Sequence, residues 1–401
     1  MTSHHRRQAS PPRAAGFSPR DGAATDAVLP DILRESRTRL VFGNGTLDEV
    51  GRAAKAEGAS RVLLVTDPGI VRAGHVQRAV DSLESNGLTV TVFDGVAENP
   101  TTEHVDAGLA VAKRERIDFL IGLGGGSSMD CAKGINFLLT GGGRIQDYWG
   151  VGKATEPMLP MIAVPTTAGT GSEAQSFALI CDAVTRQKMA CGDPKATCRL
   201  AMLDPELTIT QPRAVACATG IDALSHAVET AGTTRRNEVS LEFTRQAWRR
   251  LESSFETAIA DPTDGPARSG MLLGAHLAGA AIEHSMLGAA HACANPLTAR
   301  FGVTHGVAVG LLLPHVVRFN AATGANPYEA ITDDPLRLAR RIEDMLDSAE
   351  LPRSLAVLNI PREALADLAG EAVQQWTMRF NPRPMTAADA ATVYAAAFGV
   401  G

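Results

Sequence analysis

Up to about Pro205 the chain alternates short apolar runs with stretches of helical spacing, and beyond that point the strand signals stop. RLVFGNG (39–45) reads as a strand and turn, RVLLVTD (61–67) as a buried strand, LTVTVFDG (88–95) as the next, and DFLIGLGGG (118–126) as a strand running into glycines. Helical patterns separate them: TLDEVGRAAKAEG, HVQRAVDSLESNG, TTEHVDAGLAVAKRER and SSMDCAKGINFLLT. Strands alternating with helices at this pitch predict a parallel sheet covered on both faces. PMIAVPTTAGTGSE adds a strand and loop, SFALICD and KMACGD a hairpin-like insertion, and CRLAMLDPEL a last strand. TQPRAVACATGIDALSHAVET, NEVSLEFTRQAWRRLESSFETAIA, ARSGMLLGAHLAGAAIEHSMLGAAHACAN and DPLRLARRIEDMLDSA then carry helical spacing alone. The division expected is an α/β unit over 31–205 and an all-α unit over 206–401, with a ligand site in the cleft between them.

Bulk properties narrow the function. A chain of 401 residues is long enough for two or three domains and a large core. Its net charge of -6, without a basic run, excludes nucleic acid as a partner. No stretch of eighteen apolar residues occurs, so no membrane span is expected. The cysteines at 131, 181, 191, 198, 217 and 293 form no C-x-x-C pair, which fits reduced thiols in a cytoplasmic setting. Residues 1–30, rich in Arg, Ser, Pro and Ala, read as a disordered tail; an organelle transit peptide is the sharper alternative.

Four residues in the second half suit one divalent metal ion. Asp222 and His226 lie four apart in a helical stretch, so a carboxylate and an imidazole share one face a turn apart. His291 and His305 bracket HACANPLTARFGVTH, so a second helix and the segment after it can close the cage. Three neutral imidazoles and one carboxylate fit iron(II) or zinc and leave room for a substrate oxygen.

In the first half, Gly124-Gly125-Gly126-Ser127-Ser128 ends a strand and opens a helix. Glycines let backbone approach a pyrophosphate, and the free N–H groups of the helix start favour its negative charge. In the usual dinucleotide fingerprint the acidic residue follows the glycines. Here the candidate, Asp67, precedes them at the end of an earlier strand. A carboxylate there accepts ribose hydroxyls and repels a 2′-phosphate, favouring NAD over NADP. The loop Pro165–Glu173, PTTAGTGSE, could bond phosphate, ribose or nicotinamide.

Together these segments resemble the iron-containing (group III) alcohol dehydrogenase family. NPT (99–101), GGGSSMDCAK (124–133), PTTAGTGSE (165–173), LDPELT (203–208), TGIDALSHAVE (219–229), GAAHACANPL (288–297) and THGVAVGLLLPHV (304–316) carry the match. The resemblance implies a Rossmann-like, dehydroquinate synthase-like dinucleotide unit followed by a helical unit. It gives Asp222, His226, His291 and His305 as metal ligands. It gives Asp67, Asn99, Gly125, Gly126, Ser127, Thr166, Thr167 and Thr170 as NAD contacts, with Lys188 near the nicotinamide ribose. It further implies a homodimer or higher homo-oligomer that interconverts small alcohols and aldehydes of the lactaldehyde, propanediol or butanol type.

One departure affects proton transfer. Members of the family read H-x-x-x-H-P-L, whereas this chain reads His291-Ala-Cys-Ala-Asn295-Pro-Leu. An amide can orient a substrate oxygen but cannot exchange a proton near neutral pH. His284 is the candidate substitute acid, on the expectation that 284, 291 and 295 share one helix face, with about 10 Å between the first two. The small apolar residues Leu224, Ala289, Ala292 and Ala294 around the ligands argue for a modest uncharged substrate. Competing readings are a non-redox NAD and metal enzyme of the dehydroquinate synthase-like superfamily and a non-catalytic NAD-binding relative.

Overall fold

A computed structural model describes residues 29–399, so the tail expected over 1–30 lies almost wholly outside the described residues. The strands are β1 (Arg39–Phe42), β2 (Arg61–Val65), β3 (Thr89–Phe93), β4 (Phe119–Gly124), β5 (Gly150–Val151), β6 (Met161–Pro165), β7 (Phe177–Cys181), β8 (Lys188–Gly192) and β9 (Leu200–Leu203). Among them run the helices α1 (Val50–Ala56), α2 (Pro68–Arg72), α3 (His75–Ser85), α4 (Thr102–Arg114) and α5 (Gly126–Gly141). After β9 come α6 (Arg213–Gly232), α7 (Glu238–Ala260), α8 (Gly265–His284), α9 (Ala289–Phe301), α10 (His305–Ala321), α11 (Pro335–Ser348), α12 (Leu365–Ala372) and α13 (Ala387–Phe398).

Six strands form one parallel sheet in the order β1-β9-β6-β4-β2-β3. Period-two alternation sends Val62, Leu64, Phe119, Ile121, Ile162 and Val164 to one face, where they pack with α1 and α3. Leu63, Val65, Leu120 and Ala163 go to the other face, under α4 and α5. Both faces are buried, which is why the strands read as continuous apolar runs. From β2 the chain steps outward to β3 and then returns past β2 to β4. That reversal opens a crevice at the carboxyl ends of β2 and β4, the place where parallel sheets bind ligands. Asp67 and Gly124–Gly126 sit at those two strand ends. The expected insertion is present as antiparallel β7 and β8, with β5 completing a small separate sheet.

The third core lies among the helices beyond Arg213, where Phe243, Leu251 and Phe255 of α7 are fully buried. Each such side chain contributes about 1.5–3 kcal/mol of burial free energy. One expectation fails here. The stretch 267–295 is two helices, because Ser285 leaves helical geometry (φ -136°, ψ -110°) and α9 begins only after Gly288. His284 and His291 therefore do not share a helix face. Both helices are apolar nearly all round, so their periodicity carries no mark of the junction.

Candidate active site

Three helices meet at Asp222. Its Oδ1 lies 3.5 Å from His226 Nε2, 3.5 Å from His291 Nε2 and 3.9 Å from His305 Nε2. The rings are close-packed, His226 on His291 at 4.9 Å and His291 on His305 at 5.4 Å between centroids. Asp222 Oδ1 and His291 Nε2 are buried without a hydrogen-bond partner, an arrangement that costs about 1–3 kcal/mol per group when nothing else satisfies it. Ligands about 2.1 Å from a tetrahedral ion stand about 3.4 Å apart, close to the separations found here. The ligand atoms of Asp222, His226 and His291 lie within 4.8 Å of one another and fit a divalent metal ion; His305, with its Nε2 3.9 Å from Asp222 Oδ1, stands at the edge of that group.

Local sequence explains the convergence. Asp222, His226 and Glu229 recur at i, i+4 and i+7 on α6 and so face one way. His305 opens α10, and the next residue, Gly306, is pressed against α6. A Cβ at Gly306 would stand 2.0 Å from the Ala218 carbonyl oxygen and 3.3 Å from Asp222 Cβ. Glycine lets the start of α10 come near enough for His305 to reach Asp222. His291 lies in the first turn of α9, where Glu229 serves twice: Oε1 accepts the Ala290 N–H at 2.7 Å and Oε2 pairs with His291 Nδ1 at 2.6 Å. A carboxylate behind a ligating imidazole fixes its tautomer and leaves Nε2 for the metal.

The electrostatics agree. Burial opposes charge on Asp222, but the three surrounding imidazoles outweigh it and hold the carboxyl well below its usual range. Burial likewise opposes a proton on His291, yet the adjoining carboxylates of Asp222 and Glu229 win and raise it to about 9. His305 is pushed down to about 3, first by burial and then by the positive charge of Lys188. Lys188, which lies on β8, is thus within electrostatic range of His305.

The expected dinucleotide contacts gather at the sheet's carboxyl edge. Gly124 (φ +148°) leads into Gly125, the cap of α5, whose first turn carries Gly126 and Ser127. Thr166 N–H donates to the Gly124 carbonyl at 2.9 Å. Thr167 and Thr170 face Gly125 and Gly126, and Thr166 Oγ1 is buried without a partner. Asp67 Oδ1 caps α2 through the Gly69 and Ile70 N–H groups, while Oδ2 lies 3.5 Å from Ser128 Oγ. Asn99, in the loop before α4, holds a left-handed backbone (φ +53°) that asparagine tolerates better than most residues.

His284 stands apart from this site. It stacks on Phe243 at 5.6 Å, and its proton affinity, lowered chiefly by burial, also responds to Glu283, Arg37 and Glu35. None of these belongs to the Asp222 cluster, and the acid role expected for His284 is not supported. Asn295 does follow His291 by one turn on α9, where its Nδ2 donates to Gln375 Oε1 at 3.1 Å. Leu224, Ala289, Ala292 and Ala294 are buried in the helical core, so they report packing and not pocket shape. Sequence reasoning passed over Glu229; its i+7 spacing from Asp222 was the available signal.

Both halves of the chain match known proteins. The model of the family described as iron-containing alcohol dehydrogenase matches residues 37–205, and that of the Fe-containing alcohol dehydrogenase family, C-terminal, matches residues 216–398. Alcohol dehydrogenase 4 of Schizosaccharomyces pombe is 40% identical over 281 residues, 70% of this chain and 67% of the relative. The NAD-dependent methanol dehydrogenase of Bacillus methanolicus is 32% identical over 366 residues, 88% of this chain and 96% of the relative. The crystal structure of a 1,3-propanediol oxidoreductase aligns with a TM-score of 0.85 at 32% identity, covering 90% of this chain and 98% of that one. The chain belongs to the iron-containing alcohol dehydrogenase family. It is an NAD-dependent alcohol dehydrogenase and aldehyde reductase whose cofactors are NAD and iron. The redox reading therefore stands over the dehydroquinate synthase-like alternative. No helix among the described residues is long and apolar enough to cross a membrane.

Proposed function

We propose that Asp222, His226, His291 and His305 hold the metal ion, and that Asp67, Asn99, Gly125, Gly126, Ser127, Thr166, Thr167, Thr170 and Lys188 hold NAD. The observation that carries this reading is the approach of three imidazole Nε2 atoms to one buried carboxylate oxygen. When bound, the ion supplies Lewis acidity toward an alcohol or carbonyl oxygen, and the nicotinamide accepts or delivers hydride. The protein's own part is placement. Asp222 offsets cationic charge, Glu229 keeps His291 oriented, and the N–H groups at the start of α5 receive the pyrophosphate. Asn295, held by Gln375, orients the substrate oxygen.

On this reading residues 31–205 form the NAD-binding unit and 206–401 the metal-binding unit. The substrate is a small alcohol or aldehyde of the lactaldehyde, propanediol or butanol type, supported by relatives that act on methanol and 1,3-propanediol. We assign a cytoplasmic setting, supported by six unpaired cysteines. A homodimer or higher homo-oligomer is supported by β3, a terminal strand with Val92 exposed. The test is metal analysis and NADH formation on an alcohol panel for the native protein and His305→Ala. Parallel loss of metal and turnover is expected. Full turnover in a metal-free variant contradicts the reading.

A further inference from the structure

The threonine loop and the residues after it are gripped from two sides by groups that the proposed chemistry does not use. On the sheet side, Lys133 of α5 is fully buried, and its Nζ donates to the carbonyls of Ser172, Gln175 and Phe177 at 2.6, 2.7 and 3.0 Å. Asp130, one turn earlier, accepts the Ser172 hydroxyl at 2.5 Å and the Leu179 N–H at 3.2 Å. On the helical side, α8 presents His276, Gly279 and Glu283 at i, i+3 and i+7, a single stripe.

Each member of that stripe seats a different part of the loop. His276 Nδ1 meets Glu173 Oε1 at 3.2 Å, with both side chains buried. Glu283 accepts the Ser176 N–H at 2.9 Å and its hydroxyl at 2.8 Å. At Gly279 a Cβ would stand 2.4 Å from the Gly171 carbonyl oxygen, so backbone rests directly on backbone. The loop's other end reaches the metal-bearing helix. A Cβ at Gly169 would lie 2.6 Å from Thr219 Cβ and 2.9 Å from its carbonyl oxygen, and Thr219 precedes Asp222 by less than one turn of α6.

We infer that the 165–177 segment couples occupancy of the dinucleotide site to occupancy of the metal site, with the Glu173–His276 contact as its positioning element. The inference rests on the site reading above. A dinucleotide bonded to Thr166–Thr170 bears on Gly169, whose backbone rests against α6. The restraint needed to hold Asp222 and His226 is then already in place when the ion arrives. Glu173 cannot swing away without leaving two buried polar groups unpaired, so the α8 stripe favours one seated arrangement. Linkage makes the effect reciprocal: metal must tighten dinucleotide by the same factor.

The experiment uses the full chain, with Zn2+ as a redox-inert probe in chelator competition and NADH followed by fluorescence. Each is titrated with and without the other. In the native protein each ligand should tighten the other by one common factor of at least about five, the lower end of ordinary coupling between sites. In His276→Leu that factor should fall toward one while both ligands still bind alone, and His276→Gln, which retains a donor for Glu173, should restore most of it. If His276→Leu does not fold, Ser176→Ala removes one donor to Glu283 and should also lower the factor. Equal Zn2+ affinity with and without NADH in the native protein overturns the inference, as does an undiminished factor in the variants that fold. Absence of Zn2+ or NADH binding in the native protein would overturn the site reading itself, and this inference with it.

Discussion

The glycine turn after β4 and the cluster around Asp222, the two sites proposed for NAD and metal, are built in opposite ways. The turn is local: backbone N–H groups, a strand end and a helix start lie within a few residues, and Asp67 joins them from the neighbouring parallel strand. The Asp222 cluster is assembled from side chains on α6, α9 and α10, and it exists because those helices pack closely. A local site tolerates small movements of its surroundings, whereas an assembled one inherits every error in helix packing. Substitutions that change packing should therefore damage the cluster far more than the turn.

The largest effect is expected from the ligands themselves. Asp222→Ala and His226→Ala should abolish stoichiometric metal and turnover together while NADH binding persists, as read by elemental analysis and NADH fluorescence. Turnover surviving without metal would break the contrast. Next comes Lys133→Met, which removes a buried ammonium from three carbonyls and from the neighbourhood of Asp130. It should cost about 3–5 kcal/mol in denaturant unfolding; a loss below about 1 kcal/mol would contradict the description of Lys133 as the inner grip on the loop.

Gly306→Ala separates packing from ligand chemistry, since every ligand remains. Its methyl group would meet the Ala218 carbonyl, so stability should fall by about 1–3 kcal/mol and metal affinity should drop as His305 moves off. Unchanged metal affinity would show that the approach of α10 to α6 is not what sets the site.

Acidity sharpens the comparison further. In metal-free protein His291 is held at about 9 against 6.5 for a free imidazole, so its protonated form stabilises the fold fully below pH about 6.5. That contribution is lost as pH rises through about 9. The melting temperature of chelator-stripped protein should decline across this window, while metal affinity should climb as the competing proton leaves. A melting temperature that rises between those pH values contradicts the Glu229–His291 assignment. The smallest effect is expected for His284→Ala, which loses an aromatic contact with Phe243 worth about 0.5–1.5 kcal/mol and should leave the pH profile of kcat unmoved.

What could be read from residues alone follows the same division. The parallel sheet and glycine turn were legible because short apolar runs and period-3.6 patterns alternate cleanly through residue 141. Asp222 and His226 were legible through their one-turn spacing, and His291 and His305 through the family resemblance and the segment they bracket. The break between α8 and α9 was not, because helices apolar on all sides lose the periodic signal at their ends. Glu229 and Lys133 were missed for a related reason. A charged residue in a helix reads as solvent-facing, and only the three-dimensional arrangement shows that one orients His291 and the other fills a ring of carbonyls.

Anomalous diffraction at the metal edge from crystals of the iron-loaded protein tests the central claim most directly. The account predicts one strong peak about 2.0–2.2 Å from Asp222 Oδ1 and from the Nε2 atoms of His226, His291 and His305. A peak bound elsewhere, or none at Asp222 in stoichiometrically loaded protein, would contradict it.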